Sequence, residues 1–164
     1  MNLLKIMPEN KNKSVSVWLE LLDGSNKGKF ALQKRSEKEI RFQFVCQPTW
    51  AGKVEENESI EMAVERECEE ELGKNFKDNF DFSALKFIGA QKYAFRGNYW
   101  QSYNYLGKIT QQKLELAELH GEAEPGFIFA DKQDKVFDIK SGKSPRFDIV
   151  LFDDQYKIFK KILG

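Results

Sequence analysis

Between Glu55 and Glu71 the chain carries nine glutamates and a single arginine, yet the same stretch holds an apolar stripe at helical spacing. At about 100° per residue, Ile60, Val64, Cys68 and Leu72 fall on one side. Ser59 precedes them as a capping side chain and Gly73 follows as a stop, so a helix is expected over Ser59–Leu72. On that helix Glu67 and Glu71 lie beside the apolar stripe and Glu70 just beyond Glu67. Carboxylates at i, i+3 and i+4 therefore crowd one patch at the border of the buried face. Like charges so placed destabilise an isolated helix, and desolvation raises their pKa values unless a cation compensates. An oxygen-only donor set suits a hard divalent ion, Mg²⁺ or Mn²⁺, better than zinc. The competing reading is an acidic helix whose glutamates face solvent and bind nothing; on charge alone that reading ranks ahead.

Spacing reverses the ranking. The segment runs Gly52, five residues, Glu58, seven residues, Arg66-Glu67, Cys68, one residue, Glu70-Glu71, one residue, Gly73. This resembles the Nudix box at all seven of its fixed positions, with Cys68 standing at an aliphatic place and Lys74 departing from the final aliphatic one. At average residue usage seven such matches arise at roughly 1 in 10⁸ start positions, and at about 1 in 10⁵ once the glutamate richness is granted. The resemblance implies that Glu67, Glu70 and Glu71 hold the metal, Mg²⁺ or Mn²⁺, joined by the backbone carbonyl of Ala51. It implies that Glu67 or a neighbouring glutamate helps activate the attacking water and that Arg66 orients the glutamates. Glu58 would pair with Arg66, with Gly52, Glu58 and Gly73 as structural positions of the box. The activity implied is pyrophosphohydrolysis: metal-activated water cleaves a diphosphate bond in a nucleoside diphosphate linked to another group. The partner is then a small-molecule, nucleotide-type diphosphate, and a homodimer is a common arrangement in the family.

The rest of the chain is compatible with that family's fold. At 164 residues, 41% hydrophobic and 32% charged, it suits one soluble domain over 1–164, with 1–13 as a flexible N-terminal segment. No apolar run approaches a membrane span and no signal peptide is read. Cys46 and Cys68 lie in apolar-patterned segments and read as buried free thiols of a cytoplasmic protein. Net charge is zero, but outside the acidic stretch 25 basic residues face 17 acidic ones, a balance that suits an anionic, phosphate-bearing ligand. No basic tail or Arg/Lys-rich helix points to a long nucleic acid.

Strands are expected over Ser14–Leu22, over Phe30–Lys34 and from Ile40 to near Pro48, the last from the alternation of Ile40, Phe42 and Phe44. Ala84–Phe95 and Tyr99–Ile109 read as a hairpin across Gly97-Asn98. Gln111–Gly126 reads as either helix or loop, Phe127–Ala130 and Val136–Ile139 as short strands, and Asp154–Leu163 as a helix with Tyr156, Phe159 and Leu163 on one face. The fold class is α/β, a Nudix-like α/β/α sandwich with a mixed β-sheet.

Members of the family often carry Pro-Gly-Gly before the box, where this chain has Pro48-Thr49-Trp50-Ala51-Gly52. Trp50 is either a stacking platform for substrate or packed into the sheet, with the two readings level. A further glutamate that many relatives draw from a later loop has four candidates, Glu115, Glu118, Glu122 and Glu124, and no motif to choose among them. Arg35, Arg41, Lys53 and Arg96 are candidate phosphate contacts, and the lone His120 reads as a surface residue. A nucleotide-metabolite sensor without hydrolysis is the alternative function, although such domains usually lose box glutamates. An isoprenoid-diphosphate isomerase would need histidine ligands that one His does not supply.

Overall fold

In the computed structural model, residues 12–119, 123–124 and 126–164 are described. Most of the N-terminal segment expected over 1–13 lies outside the described residues, as do His120 and Glu122. The strand β1 (Lys13–Leu21) sets the layout because its centre is buried on both faces. Val15, Val17, Leu19 and Leu21 enter one core and Trp18 enters another. A strand buried on both faces needs a covering layer on each side.

The elements follow as β2 (Phe30–Lys34), β3 (Cys46–Gln47), β4 (Trp50–Lys53), α1 (Ile60–Leu72), α2 (Lys74–Asp78), β5 (Lys86–Phe95), β6 (Asn98–Ile109), α3 (Gln111–Leu114), β7 (Ile128–Ala130), β8 (Val136–Asp138), β9 (Ile149–Leu151) and α4 (Asp153–Leu163). They build one mixed sheet in the order β5-β6-β1-β2-β3-β9-β8, with β4 added on β1 and β7 on β2. β1 runs parallel to β6 over its whole length. On its other side it pairs first with β4, from Ser14 to Val17, and then with β2, at Leu19 and Glu20. The Thr49 hydroxyl marks the change of partner: it accepts from Leu19 N (2.9 Å) and donates to Ala31 O (2.6 Å), standing between two residues that face each other across β1 and β2.

α1 and α2 cover the face of Val15, Val17 and Leu19, burying Ala63, Val64, Cys68, Leu72 and Phe76 there. α4 covers the opposite face, where Phe159 stacks on Trp18 (centroids 5.2 Å, 13° between planes) and meets Phe30 edge-on at 5.7 Å. The expected α/β/α sandwich is therefore observed. Both cysteines are buried free thiols, and burial pushes them up to about 11 for Cys46 and about 12 for Cys68. No helix among the described residues is long and apolar enough to cross a membrane.

Of the strand expected from Ile40 to near Pro48 only β3 forms, and Ile40–Phe44 is a loop instead. Phe42 (φ 57°) and Phe44 (φ 64°) adopt left-handed backbone that no strand tolerates, and Ile40 is 95% exposed. Polar side chains hold this loop. Gln43 donates to Glu37 O (2.9 Å) and Glu39 O (2.8 Å), and Arg35 donates to Arg41 O (3.3 Å), outweighing the pairing that the alternation alone suggests. The short strands β4 and β9 and the helix α2 were not expected. The hairpin turn falls one residue earlier than expected, at Arg96–Gly97, both with positive φ as a two-residue type I′ turn requires.

α4 is attached mainly through its aromatic anchor. Phe159→Ala should lower unfolding free energy by about 3–5 kcal/mol, measured by urea denaturation; a loss below about 1 kcal/mol would show that α4 is held by other contacts.

Candidate active site

α1 begins where the Ser59 hydroxyl accepts from Met62 N (3.1 Å) and ends where Gly73, at φ 90°, donates its N–H to Glu69 O (2.9 Å). With Val64, Cys68 and Leu72 turned into the core, the face beside them carries Arg66, Glu67, Glu70 and Glu71 toward the loop that follows β4. Arg66 is the hub. Its Nε and Nη2 clasp the Glu58 carboxylate (2.7 and 3.0 Å), Nη1 reaches Glu67 (2.8 Å) and Glu70 (3.2 Å), and Nη2 also donates to Lys53 O (2.7 Å). Bidentate guanidinium–carboxylate pairing is the strong form of such contacts. The Arg66 hydrogen bonds hold Glu58 below the ordinary carboxylate range, and the reciprocal bond from Glu58 raises the Arg66 pKa. Glu58 also accepts from Glu55 N (3.1 Å), fixing the loop against the helix.

Glu67 is half-buried. Desolvation pushes its carboxyl above the ordinary range, against the lowering effect of Arg66. Its carboxylate lies directly over Gly52, so close that a Cβ at that position would overlap it. This close approach is why residue 52 must be glycine. Glu71 turns the other way, accepting from Ala51 N (3.0 Å) and from Gln33 Nε2 (3.5 Å). Glu70 is the outer member, its side chain 58% exposed.

The three carboxylates were expected to converge on one point; in this arrangement Glu67 and Glu70 share Arg66 Nη1 while Glu71 is held by the β4 backbone. Among the described residues no three His, Cys, Asp or Glu side chains are grouped to hold a metal ion. The physical reason lies in Arg66, whose guanidinium supplies the compensating charge that draws the glutamates toward itself. The residues nevertheless fit a hard divalent ion. The side-chain donors are carboxylate oxygens, and that of Glu67 sits in a side-chain-free cradle over Gly52, its pKa raised by desolvation.

Trp50 is packed, not a stacking platform. It is fully buried, its indole donates to Val64 O (3.0 Å), and its ring meets Phe76, Phe80 and Phe82 edge-on at 6.1, 5.4 and 6.3 Å. Of the later glutamates, Glu115 accepts from Gln111 (3.2 Å) and Glu124 from Glu37 N (3.0 Å), while the Glu118 amide bonds Leu72 O (2.9 Å). None of these contacts joins them to the box carboxylates, and Glu122 lies outside the described residues. The basic candidates fare better. Lys53 lines one lobe of a cleft beside Ala51 and Gly52, and Arg35, Arg41 and Arg96 line the adjoining lobe.

Residues not singled out from the sequence also contribute. Gln33, buried in β2, donates to Thr49 O (2.7 Å) as well as to Glu71. Asp154, in the first turn of α4, lines both lobes of the cleft, and burial pushes its carboxyl up to about 6. The pair Asp153-Asp154 before an amphipathic stretch was a visible helix-start signal, but nothing local tied it to the box.

A family model described as the NUDIX domain matches residues 11–139. No curated protein matches the sequence. The fold is similar to that of a MutT/nudix family protein from Enterococcus faecalis, at 20% identity and TM-score 0.60, covering 98% of this chain and 68% of that one. It is similar to the NUDIX domain of Shewanella oneidensis NrtR, solved with ADP ribose, at 13% identity and TM-score 0.61, covering 96% and 89%. A MutT protein from Methanosarcina mazei Go1 is similar at 20% identity and TM-score 0.52, covering 75% and 78%.

Trp50→Ala should cost about 3–5 kcal/mol of stability, seen as a lowered urea midpoint; a stable variant would mean that the aromatic cluster is dispensable. For Asp154 the sign follows from a folded-state pKa raised above the ordinary 3.8. The protonated carboxyl is favoured in the fold, so its stabilising contribution is complete below about pH 4 and is lost as pH rises through about 6. Asp154→Asn should therefore be more stable than the parent at pH 8, an advantage that vanishes near pH 4, in urea melts at both values. Equal stability at pH 8 would contradict the assignment.

Proposed function

We propose that this chain, which belongs to the Nudix family, is a hydrolase that cleaves the diphosphate linkage of a small nucleotide-type substrate, with Mg²⁺ or Mn²⁺ as cofactor. The observation that carries this reading is the seating of the Glu67 carboxylate over Gly52, with Arg66 joining it to Glu58 and Glu70.

In the proposal Glu67, Glu70 and Glu71 hold the cation, with the Ala51 carbonyl as a further donor. Such an ion, when bound, supplies positive charge against the phosphate oxygens and acidifies water. The chain's own groups supply the rest. Glu67, whose carboxyl is pushed above the ordinary range by desolvation, is suited to take a proton from the attacking water. Arg66 holds Glu67 and Glu70 in place, and through Glu58 and Lys53 O it locks the loop on which Gly52 sits. Glu71, fixed by the Ala51 amide, keeps β4 in register with the helix. Lys53 at the near lobe and Arg35, Arg41 and Arg96 at the far one offer positive charge to an anionic substrate. Attack in line on one phosphorus expels the other phosphate and leaves two phosphate-terminated products, with no covalent protein intermediate.

A panel of nucleoside triphosphates, nucleotide sugars, dinucleoside polyphosphates and ADP-ribose, assayed with and without Mg²⁺ or Mn²⁺, tests the reading. Turnover should require the cation and fall by on the order of 10²–10⁴-fold in Glu67→Gln. Turnover that survives this substitution would remove Glu67 from the mechanism, and tight binding without any turnover would favour a sensor. Gly52→Ala should cost on the order of a hundredfold in kcat by displacing Glu67; an unchanged kcat would show that the seat over residue 52 does not matter.

A further inference from the structure

A glutamine in the middle of the sheet is out of place. Gln33 follows Phe30, Ala31 and Leu32 in β2 and is only 5% exposed, although glutamine is ordinarily a surface residue. A methionine would fill a similar volume with no amide to satisfy. Neighbouring buried polar groups have evident structural tasks. Ser102 and Asn104 bond each other (3.2 Å) and the carbonyls of Gln91 and Gly89 on β5 (3.3 and 3.4 Å), and Thr49 joins β1 to β2. Gln33 directs its amide nitrogen to the acidic patch instead.

The Gln33 Nε2 carries two hydrogens and meets two acceptors, Thr49 O at 2.7 Å and Glu71 Oε2 at 3.5 Å. The reverse orientation of the amide would set its own oxygen against a carbonyl and a carboxylate, so the nitrogen belongs on this side. The same Glu71 oxygen also accepts from Ala51 N (3.0 Å). These three bonds close a ring that runs from the amide through the Thr49–Ala51 backbone to the carboxylate and back. Within it the Glu71 carboxylate cannot turn without breaking a bond to β2 or to β4. Glu67 and Glu70 are held by the charged Arg66, whereas both of these donors to Glu71 are neutral N–H groups, which fix an oxygen without cancelling its charge.

We propose that Gln33 is a positioning residue of the cation site: from β2 its amide holds the Glu71 carboxylate against the Ala51 backbone, in the orientation in which Glu71 serves Mg²⁺ or Mn²⁺. The inference rests on the reading above in which Glu71 holds the metal. Groups that donate to ligating carboxylates orient them, and losing one costs roughly 10- to 100-fold in metal affinity. The contact with Glu71 is the longer of the two that Gln33 makes, which places the expected loss at the lower end of that range.

Calorimetric titration of the full chain with Mn²⁺, in the absence of substrate, tests it. Gln33→Met keeps the length of the side chain and removes the amide; it should raise the Kd for Mn²⁺ by roughly tenfold. Gln33→Asn keeps an amide but withdraws it by one methylene, and as a second variant should show the same loss. Phe159→Ala, destabilised on the opposite face of the sheet, should bind Mn²⁺ as the parent does under conditions where it is folded, which separates positioning from stability. In a Glu71→Ala background the contact is already gone, so adding Gln33→Met should change the Kd by less than about twofold. Parental affinity in a folded Gln33 variant, the full loss repeated in the Glu71→Ala background, or an equal loss in Phe159→Ala would overturn the proposal. Should Glu71→Ala alone retain the parental Kd, the metal-holding role of Glu71 falls and this inference falls with it. Weak Mn²⁺ binding in Glu71→Ala beside parental binding in Gln33→Met refutes the role of Gln33 alone.

Discussion

Four carboxylates crowd the region between the β4 loop and α1, and one guanidinium makes that crowding tolerable. Glu58, Glu67 and Glu70 all bond Arg66, which also grips the carbonyl of Lys53. A lysine would place one compact charge there; the planar fork of arginine serves a loop carboxylate, a half-buried helix carboxylate and a backbone oxygen at once. Because Glu58 and the Lys53 carbonyl precede the helix while Glu67 and Glu70 belong to it, the pairing fixes the distance between two pieces of chain as well as their charge. The position of Glu67 over Gly52 is a consequence of that distance.

The sheet supplies the rigid support. β1 turns four aliphatic residues to one face and Trp18 to the other, so it accepts α1 and α2 on one side and α4 on the other, and its change of partner at Thr49 leaves β4 able to pair with only its first half. β4 thereby becomes the seam of the molecule. Trp50 locks into the aromatic cluster under α1 and α2, the Ala51 amide holds Glu71, Gly52 makes room for Glu67, and Lys53 reaches the cleft beneath α4. Four consecutive residues thus connect the core, the acidic patch and the ligand-sized space.

The helix Ile60–Leu72 was legible because everything that defines it is local: a cap at Ser59, a stop at Gly73 and an apolar period between them. The hairpin and α4 were legible for the same reason. Ile40, Phe42 and Phe44 misled because alternation records only spacing, while two of those residues sit in left-handed backbone stabilised by Gln43 and Arg35. The role of Trp50 could not be chosen from the sequence since its partners, Phe76, Phe80 and Phe82, lie beyond α1 and meet it only through the fold. The cleft was the least legible part. Trp100, Asp154 and Gln155 come together through strand register and the docking of α4, and no short-range pattern encodes either.

The contact between Glu67 and residue 52 couples the history of two positions far apart in the chain. Any carbon added at 52 intrudes on the carboxylate, and any retreat of that carboxylate frees the space. Substitutions there are expected to travel in pairs, a bulkier residue at 52 being tolerated only where the acid at 67 has shortened or vanished. In homologues of this chain, an occupied position 52 would then serve as an outward mark of a site that has given up its chemistry while keeping its fold.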